Sequence, residues 1–555
     1  MQPVAHRLRC LRPYAMLALL CLLLDLPGIA AIPPLDRDEA RFAQATRQML
    51  ETGDFLRIRF QDEERNKKPA GIYWLQAAVV GLFSTPAAVA IWPYRLPSLL
   101  GATAGVLAIF EFGAALFRGR PAAGPTAVIG GVLLCSALSV VAEAHIAKTD
   151  AALLFTVIAG QGALGLIYAR SRAGENVPSR LPLVFWAAEI AAIFLKGPIG
   201  PGLAAITAGA LTIADRETRW LRQLRPVAGI GASVMTIAPW LIAIEYATSG
   251  HFLADAAGGD LLAKLTAARE LHGAPPGSYL LLSPVILWPG SLLLVPAIVR
   301  AWHRRSVPAE RFLLAWLAPG WVLLELIPTK LPHYVLPLLP ALALLAAAAL
   351  AEGARLPPGT WARRLDWLVT VLWIAVTLTL AASLIVLPLR LGEHIVIAGA
   401  FGVAALLGLS AALLCCPRGP RLTTGFLAAL SFVFVIAAAS VLPGLDQLWL
   451  SRAAAALVAR HPPAGGSPLV AVGYAEPSLV FLLGTGLHLT SPAAAAAALA
   501  RGGEALVANG ARAAFREAIE RNGLSAMVQG SARGLDYSNG QRIVLTLYVV
   551  SGPPQ

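Results

Sequence analysis

The chain has 555 residues, of which 57% are hydrophobic and only 14% charged, with a net charge of +13. A soluble domain carries about a quarter charged residues, and no soluble core could bury this much apolar surface; a soluble enzyme is excluded and a multi-pass membrane protein is expected. The positive charge is not a nucleic-acid footprint, because no basic stripe is interleaved with aromatics; arginine sits in short clusters between apolar runs, as the positive-inside rule expects.

Residues 1–12 are basic and lead into an apolar run at 13–32 without a clear small-x-small cleavage site, so a retained first span with a cytoplasmic N-terminus is expected. Further spans are expected near 94–117, 123–143, 150–170, 181–196, 198–214, 224–246, 277–300, 311–328, 333–351, 366–388, 394–416 and 423–443, thirteen crossings in all. One more apolar run lies at 70–92. Six basic clusters (Arg118/Arg120, Arg170/Arg172/Arg180, Arg216 to Arg225, Arg300/Arg304/Arg305/Arg311, Arg355/Arg363/Arg364 and Arg418/Arg421) fall at every second inter-span loop. All are cytoplasmic together only if 70–92 does not cross fully. Loops 33–69, 143–150, 247–276, 328–333 and 389–394, the Lys196-Gly197-Pro198 break and everything after 443 then face the other side, the periplasm of a Gram-negative cell.

The chain changes character at about residue 444. Strands are expected at Pro468–Tyr474, Leu487–Thr490 and Ala505–Ala508, and helices from Pro477–Leu483, Pro492–Arg501 and Ala511–Asn522. A closing hairpin pairs Ala526–Gly530 with Arg542–Val550 around Asn539-Gly540. The expected fold is thus an all-α membrane domain over 1–443 and a soluble α/β domain over 444–555. Neither an internal repeat nor a glycine-rich phosphate loop is evident, so no nucleotide is assigned.

Charge concentrates where an oily chain has least use for it. The stretch from Asp36 to Phe42 and the stretch from Gln61 to Lys68 are densely charged and follow the first span, where such density more often faces a charged ligand than lipid. The chain has six lysines (Lys67, Lys68, Lys148, Lys196, Lys264 and Lys330), and every one falls in a loop assigned to the outer face. That is the wrong side for positive-inside anchoring. Lysine binds phosphate as a compact point charge with three donors, so an anionic partner is expected there; local salt bridges to Asp38, Glu63, Asp150 or Glu270 are the alternative. Asp38 opens a helical pattern with Phe42, Ala45, Met49 and Leu50 on one face, expected to lie on the membrane surface. Asp150 opens another helix. Each acid suits an N-cap, and each beside lysine can also act as a general base or orient a hydroxyl. Glu270 and His272 precede the Pro275-Pro276-Gly277 break, and Lys330, His333 and Tyr334 form a polar cluster opening a span. His145, His272 and His333 lack ligand spacing, so no metal site is assigned.

At these motifs the sequence resembles the polyprenyl-phosphate-sugar-dependent GT-C glycosyltransferases. Within them it looks closest to the lipid A aminoarabinose transferases and their protein O-mannosyltransferase relatives of glycosyltransferase family 39 type. The matching segments are Asp38-Glu39-Ala40-Arg41, Lys68-Pro69 with Tyr73-Trp74, the His145 to Asp150 loop, Lys196-Gly197-Pro198, Lys330 to Tyr334 running into Leu336-Pro337-Leu338-Leu339-Pro340, and Gly473 to Ser478. The likeness covers essentially the whole chain. It implies a helical membrane domain with a large first periplasmic loop and a terminal periplasmic α/β domain. It places the catalytic acid on Asp38 and the lipid-phosphate contact on Lys68, with Tyr334 facing the lipid carrier; the charge and loop pattern itself adds Asp150 in an assisting role and Lys67, Lys196, Lys330, Arg269, Glu270, His272, His333 and Glu39 in the substrate site. The implied donor is a polyprenyl (undecaprenyl) phosphate sugar and the acceptor lipid A, another glycolipid or a protein, at the inner membrane and without nucleic acid. In the aminoarabinose transferases a glutamate implicated in metal binding precedes the lysine; Lys67 stands there, so neither metal nor other cofactor is expected. A lipid-linked glycan flippase shares the oily composition, but predicts repeats and polar residues near mid-membrane.

Overall fold

In a computed structural model of the protein, the described residues are 2–256, 258, 273–415, 419–463 and 467–550, with 2–10 described as helix alone. Arg269, Glu270 and His272 of the expected site, and Lys264, lie outside them. The chain begins with helix α1 (Gln2–Asp25), then α2 (Asp38–Thr52), a short antiparallel pair β1 (Arg59–Phe60) and β2 (Glu63–Glu64), and α3 (Gly71–Phe83). The bundle continues with α4 (Trp92–Leu116), α5 (Ala123–Ser136), α6 (Leu138–Ala144), α7 (Asp150–Arg172), α8 (Arg180–Lys196), α9 (Ile199–Asp215) and α10 (Pro226–Ala247). Seven helices among the described residues are long and apolar enough to cross a membrane, or up to nine if each bent pair is one span. The fold is a multi-pass helical membrane fold.

The expected spans differ in detail, for local reasons. The run at 123–143 is the pair α5 and α6, bent by 62° around Ala137, and the run at 277–300 is Ser278–Ile286 and Gly290–His303, bent by 118°. The runs at 181–196 and 198–214 are α8 and α9, 17 residues each, divided at Gly197, whose φ of +66° suits a residue without a Cβ. The run at 70–92 gives α3, 13 residues or roughly 20 Å at 1.5 Å per residue, against about 30 Å of hydrocarbon.

Two packing decisions set the site. First, α4 and α7 approach closely: a Cβ on Gly101 would lie 2.6 Å from the Ala152 Cα, so only glycine permits the contact. This brings the Ser98 hydroxyl onto the carbonyls of Ile146 (2.7 Å) and Lys148 (3.1 Å) and fixes the turn ahead of α7. Second, α2 is packed within the protein and is not left with one open face. Its residues Glu39, Ala40 and Phe42 to Met49 are buried, because α2 is covered by α3 on one side and by the helix Pro477–Leu483 of the C-terminal region on the other. Arg47 donates to the Phe481 carbonyl (2.9 Å) and Gln44 to the Thr485 hydroxyl (2.8 Å).

The C-terminal region is built on a five-stranded sheet in the order β4-β3-β5-β7-β6, with β3 Leu469–Val472, β4 His488–Leu489, β5 Glu504–Ala508, β6 Ala526–Asp536 and β7 Gln541–Val550. β3 runs parallel to β4 and β5, while β7 is antiparallel to both β5 and β6. Alternate residues feed opposite cores, Ala471, Leu506 and Leu545 on one face and Val470, Val472, Ala505 and Val507 on the other, as the two-residue period of a strand requires. β6 is longer than the expected Ala526–Gly530 and carries a bulge between Val528 and Gly530. The helix Leu450–Arg460, which packs on the sheet, was not anticipated.

Candidate active site

A cavity of about 390 Å³ opens where the first loop, the turn ahead of α7, the end of α8 and the segment around residue 330 converge. Asp36, Asp38, Arg41, Lys67, Lys68, Lys148, Asp150, Lys196, His333 and Tyr334 line it, with Arg37, Glu39 and Arg65. Four segments far apart in sequence therefore deliver one acid-and-cation set.

The back wall is a buried charge network. Lys196 Nζ bonds Asp150 Oδ1, and Lys148 Nζ lies 2.9 Å from Glu143 Oε1 and 3.7 Å from Asp150 Oδ2. Burial works against the Lys148 ammonium, but the carboxylates of Glu143 and Asp150 outweigh it and hold its pKa above the ordinary lysine value. Lys148 Nζ also lies 3.4 Å from His333 Nδ1; an ammonium has only donors, so Nδ1 accepts and the ring proton sits on Nε2. Lys196 stands 5.4 Å over the Tyr334 ring, which meets the His333 ring edge-on at 4.9 Å. Two carboxylates thus balance two ammoniums.

The front wall is the start of α2 with the 65–68 turn. Asp38 is the first residue of α2, not its N-cap, which is Arg37; Asp150 likewise opens α7 behind Thr149. Asp38 is exposed to the cavity and, among the described residues, holds no ion pair, whereas Asp150 and Glu39 are both paired. Arg65 donates to the Tyr73 hydroxyl (3.2 Å) and lies 5.0 Å over the Phe42 ring. Lys67 is exposed at the rim.

No family model matches the chain. It is 27% identical over 318 residues to the undecaprenyl phosphate-alpha-4-amino-4-deoxy-L-arabinose arabinosyl transferase of Pseudomonas paraeruginosa, covering 55% of this chain and 54% of that protein. The enzyme of the same name from Erwinia tasmaniensis is 26% identical over 311 residues, 55% of this chain and 53% of that one. The chain spans about half the length of the curated relatives it matches. Among solved structures, ArnT from Cupriavidus metallidurans bound to undecaprenyl phosphate superposes with a TM-score of 0.73 at 18% identity, over 98% of each chain. The chain has that fold. A more distant likeness, TM-score 0.50 at 10% identity over 86% of this chain and 64% of the other, is to the apo oligosaccharyltransferase of Archaeoglobus fulgidus.

Within this fold the expected residues divide. Asp38, Lys67, Lys68, Asp150, Lys196, His333 and Tyr334 reach the cavity. Lys330 does not: its ammonium donates to the carbonyls of Glu325 (2.9 Å) and Ile327 (2.6 Å), where the helix Pro308–Leu326 leaves acceptors unpaired, and it lies 5.7 Å from the Tyr279 ring. Glu39 touches the cavity wall, but both carboxylate oxygens face away into a fold contact with Arg95. The ring nitrogens of His145 face the carbonyls of Val141 (2.8 Å) and Pro27 (2.9 Å). Among the described residues no three His, Cys, Asp or Glu side chains group as metal ligands.

Sequence reasoning missed Glu143, Asp36, Arg37, Arg41 and Arg65 as members of the site. Glu143 sits inside an apolar run, and a lone acid there is itself a signal. The others lie in a loop rich in charge, where nothing in the sequence orders one charge above another.

Proposed function

We propose that the protein is an integral inner-membrane glycosyltransferase that moves a sugar from a polyprenyl phosphate donor to lipid A or another envelope acceptor. One observation carries this reading: Asp38, which holds no ion pair among the described residues, faces a cavity lined beside it by Lys67 and Lys68 and on the back wall by Lys148 and Lys196. An acid opposite a set of cations suits a reaction in which an oxygen nucleophile attacks while a phosphate departs. The fold shared with an undecaprenyl-phosphate-bound transferase supports the same assignment.

In this reading the acceptor oxygen bonds the anomeric carbon of the sugar. The bond from that carbon to the lipid-phosphate oxygen breaks, its electron pair stays on the phosphate, and polyprenyl phosphate leaves. Asp38 takes the acceptor's proton where there is one and orients the nucleophile where it is already an anion. Lys68, Lys67 and Lys196 hold the donor phosphate and stabilise its growing charge, while Asp150 and Glu143 aim Lys196 and Lys148 at it. His333 offers an Nε2–H and Tyr334 an aromatic face to the carrier. Residues 1–443 form the membrane domain with thirteen crossings, α3 being interfacial. The N-terminus is cytoplasmic, and the cavity and the domain 444–555 are periplasmic. No metal is required.

The test is transfer from an undecaprenyl-phosphate-linked sugar by the purified protein. Asp38→Asn is expected to lower the rate by about a hundredfold or more while still binding undecaprenyl phosphate. Full transfer by that variant overturns the mechanism.

A further inference from the structure

The tip of the β6–β7 hairpin reaches across to the residues immediately before Asp38. The Asp36 amide donates to the Tyr537 hydroxyl (2.7 Å), and Arg37 Nη2 donates to the Ser538 carbonyl (2.7 Å). Between these two contacts the backbone does something costly: Arg37 has φ 64° and ψ −107°, a conformation that L side chains rarely adopt. No side chain caps α2 at this end; Glu39 anchors the first turn to Arg95 and the Leu35 amide, and Arg37 sets the direction in which the residue after it, Asp38, leaves the turn.

The tip is built to be stiff. The buried Asp536 carboxylate accepts from the Ser538 amide (3.0 Å) and the Asn539 side chain (2.9 Å), and its carbonyl accepts from the Gly540 amide (2.7 Å). The Tyr537 ring meets Trp449 edge-on at 6.5 Å, tying the tip to the chain leaving the last span. The body of α2 is fixed separately, through Arg47 and Gln44 on the 477–485 segment. The hairpin contacts are therefore not needed to hold the helix in place; they act on its first turn.

We propose that the hairpin tip of the C-terminal domain is a positioning device for the active site, with Tyr537 as the positioning residue that holds the strained Asp36-Arg37 turn and so aims Asp38 into the cavity. The inference rests on the reading of Asp38 as the catalytic acid, and gives the C-terminal domain a direct part in that reaction. A residue displaced by about 1 Å from its working position can cost roughly a hundredfold in rate, so a small relaxation of the turn is enough to matter.

The experiment uses the full-length protein in nanodiscs and the variant Tyr537→Phe, which removes the hydroxyl and keeps the ring on Trp449. Hydrogen–deuterium exchange needs no substrate: peptides covering 33–39 are expected to exchange about tenfold faster, and those covering 43–52 to stay as in the wild type. In transfer from undecaprenyl-phosphate-linked aminoarabinose, used as the probe donor, kcat is expected to fall about tenfold or more at unchanged KM. Binding of undecaprenyl phosphate alone is expected to stay within about twofold. A merely structural tyrosine would shift the unfolding temperature and leave kcat per folded molecule untouched. Unchanged exchange over 33–39, or an unchanged kcat, overturns the proposal. Full activity of Asp38→Asn instead overturns the catalytic reading, and the exchange result still decides whether Tyr537 holds the turn.

Discussion

Arg95 and Glu39 form a two-pronged ion pair inside the protein, Nε to Oε1 and Nη2 to Oε2 both at 2.8 Å, with neither side chain more than 1% exposed. Every remaining bonding direction is used. The guanidinium also donates to the carbonyls of Ile29, Ile32 and Pro33, and the carboxylate accepts from the amides of Leu35 and Ala147. One pair thus ties the loop after α1, the start of α2, α4 and the turn ahead of α7. Neighbouring acids in sequence have opposite tasks: Glu39 faces the fold, Asp38 the cavity.

Removing one partner of such a pair leaves the other charge buried and alone, which costs about 3–5 kcal/mol. Glu39→Gln is therefore expected to lower the unfolding temperature of the detergent-solubilised protein sharply, while Asp38→Asn leaves it near the wild-type value. Equal melting temperatures for the two variants would contradict this division.

The Asp150–Lys196 contact makes a different prediction, because both groups border the cavity. Lys196→Met is expected to weaken binding of undecaprenyl phosphate by about tenfold, or roughly 1.4 kcal/mol, measured by titration in detergent. Asp150→Asn leaves the Lys196 ammonium without its carboxylate while Lys148 keeps Glu143, and should destabilise the protein. The double variant should be less destabilised than Asp150→Asn alone, since it removes a charge together with its partner. A strictly additive thermodynamic cycle would show that the two side chains do not act as a pair.

Asp36 supplies a pH dependence. Burial pushes its carboxyl up to about 7, with Glu476 and Asp536 adding to the rise and the Ser478 and Tyr537 hydroxyls opposing it. The folded protein therefore holds a proton that the unfolded chain releases near 4. Where the native state binds more protons than the unfolded one, stability falls as pH rises. The contribution from Asp36 is full below about 4 and is lost progressively up to about 7. Asp36→Asn, which cannot titrate, is expected to flatten that part of the stability–pH curve in denaturant titrations run between these limits. A slope unchanged by the substitution would remove Asp36 as its source.

Much of this protein was legible in the residues alone. The apolar content forced a membrane fold, and the short apolar runs after residue 444 marked strands of the terminal sheet. Scarcity made the lysines informative: with only six in the chain, their positions carried meaning, and four of them line one cavity. Burial and orientation were not legible, because they depend on what packs opposite. Asp38 and Glu39 are chemically alike and adjacent, and a helical turn sends one to the cavity and the other to Arg95, 56 residues on. Lys330 reads as a phosphate ligand until the end of the preceding helix is seen to take up its ammonium. Glu143 gains its place only because the bend at Ala137 turns α6 toward Lys148. The contact of Tyr537 with Asp36 spans 501 residues and is decided wholly by how the terminal sheet packs against the first loop. Composition and spacing determined which groups could meet an anionic lipid; tertiary packing decided which of them reach the cavity.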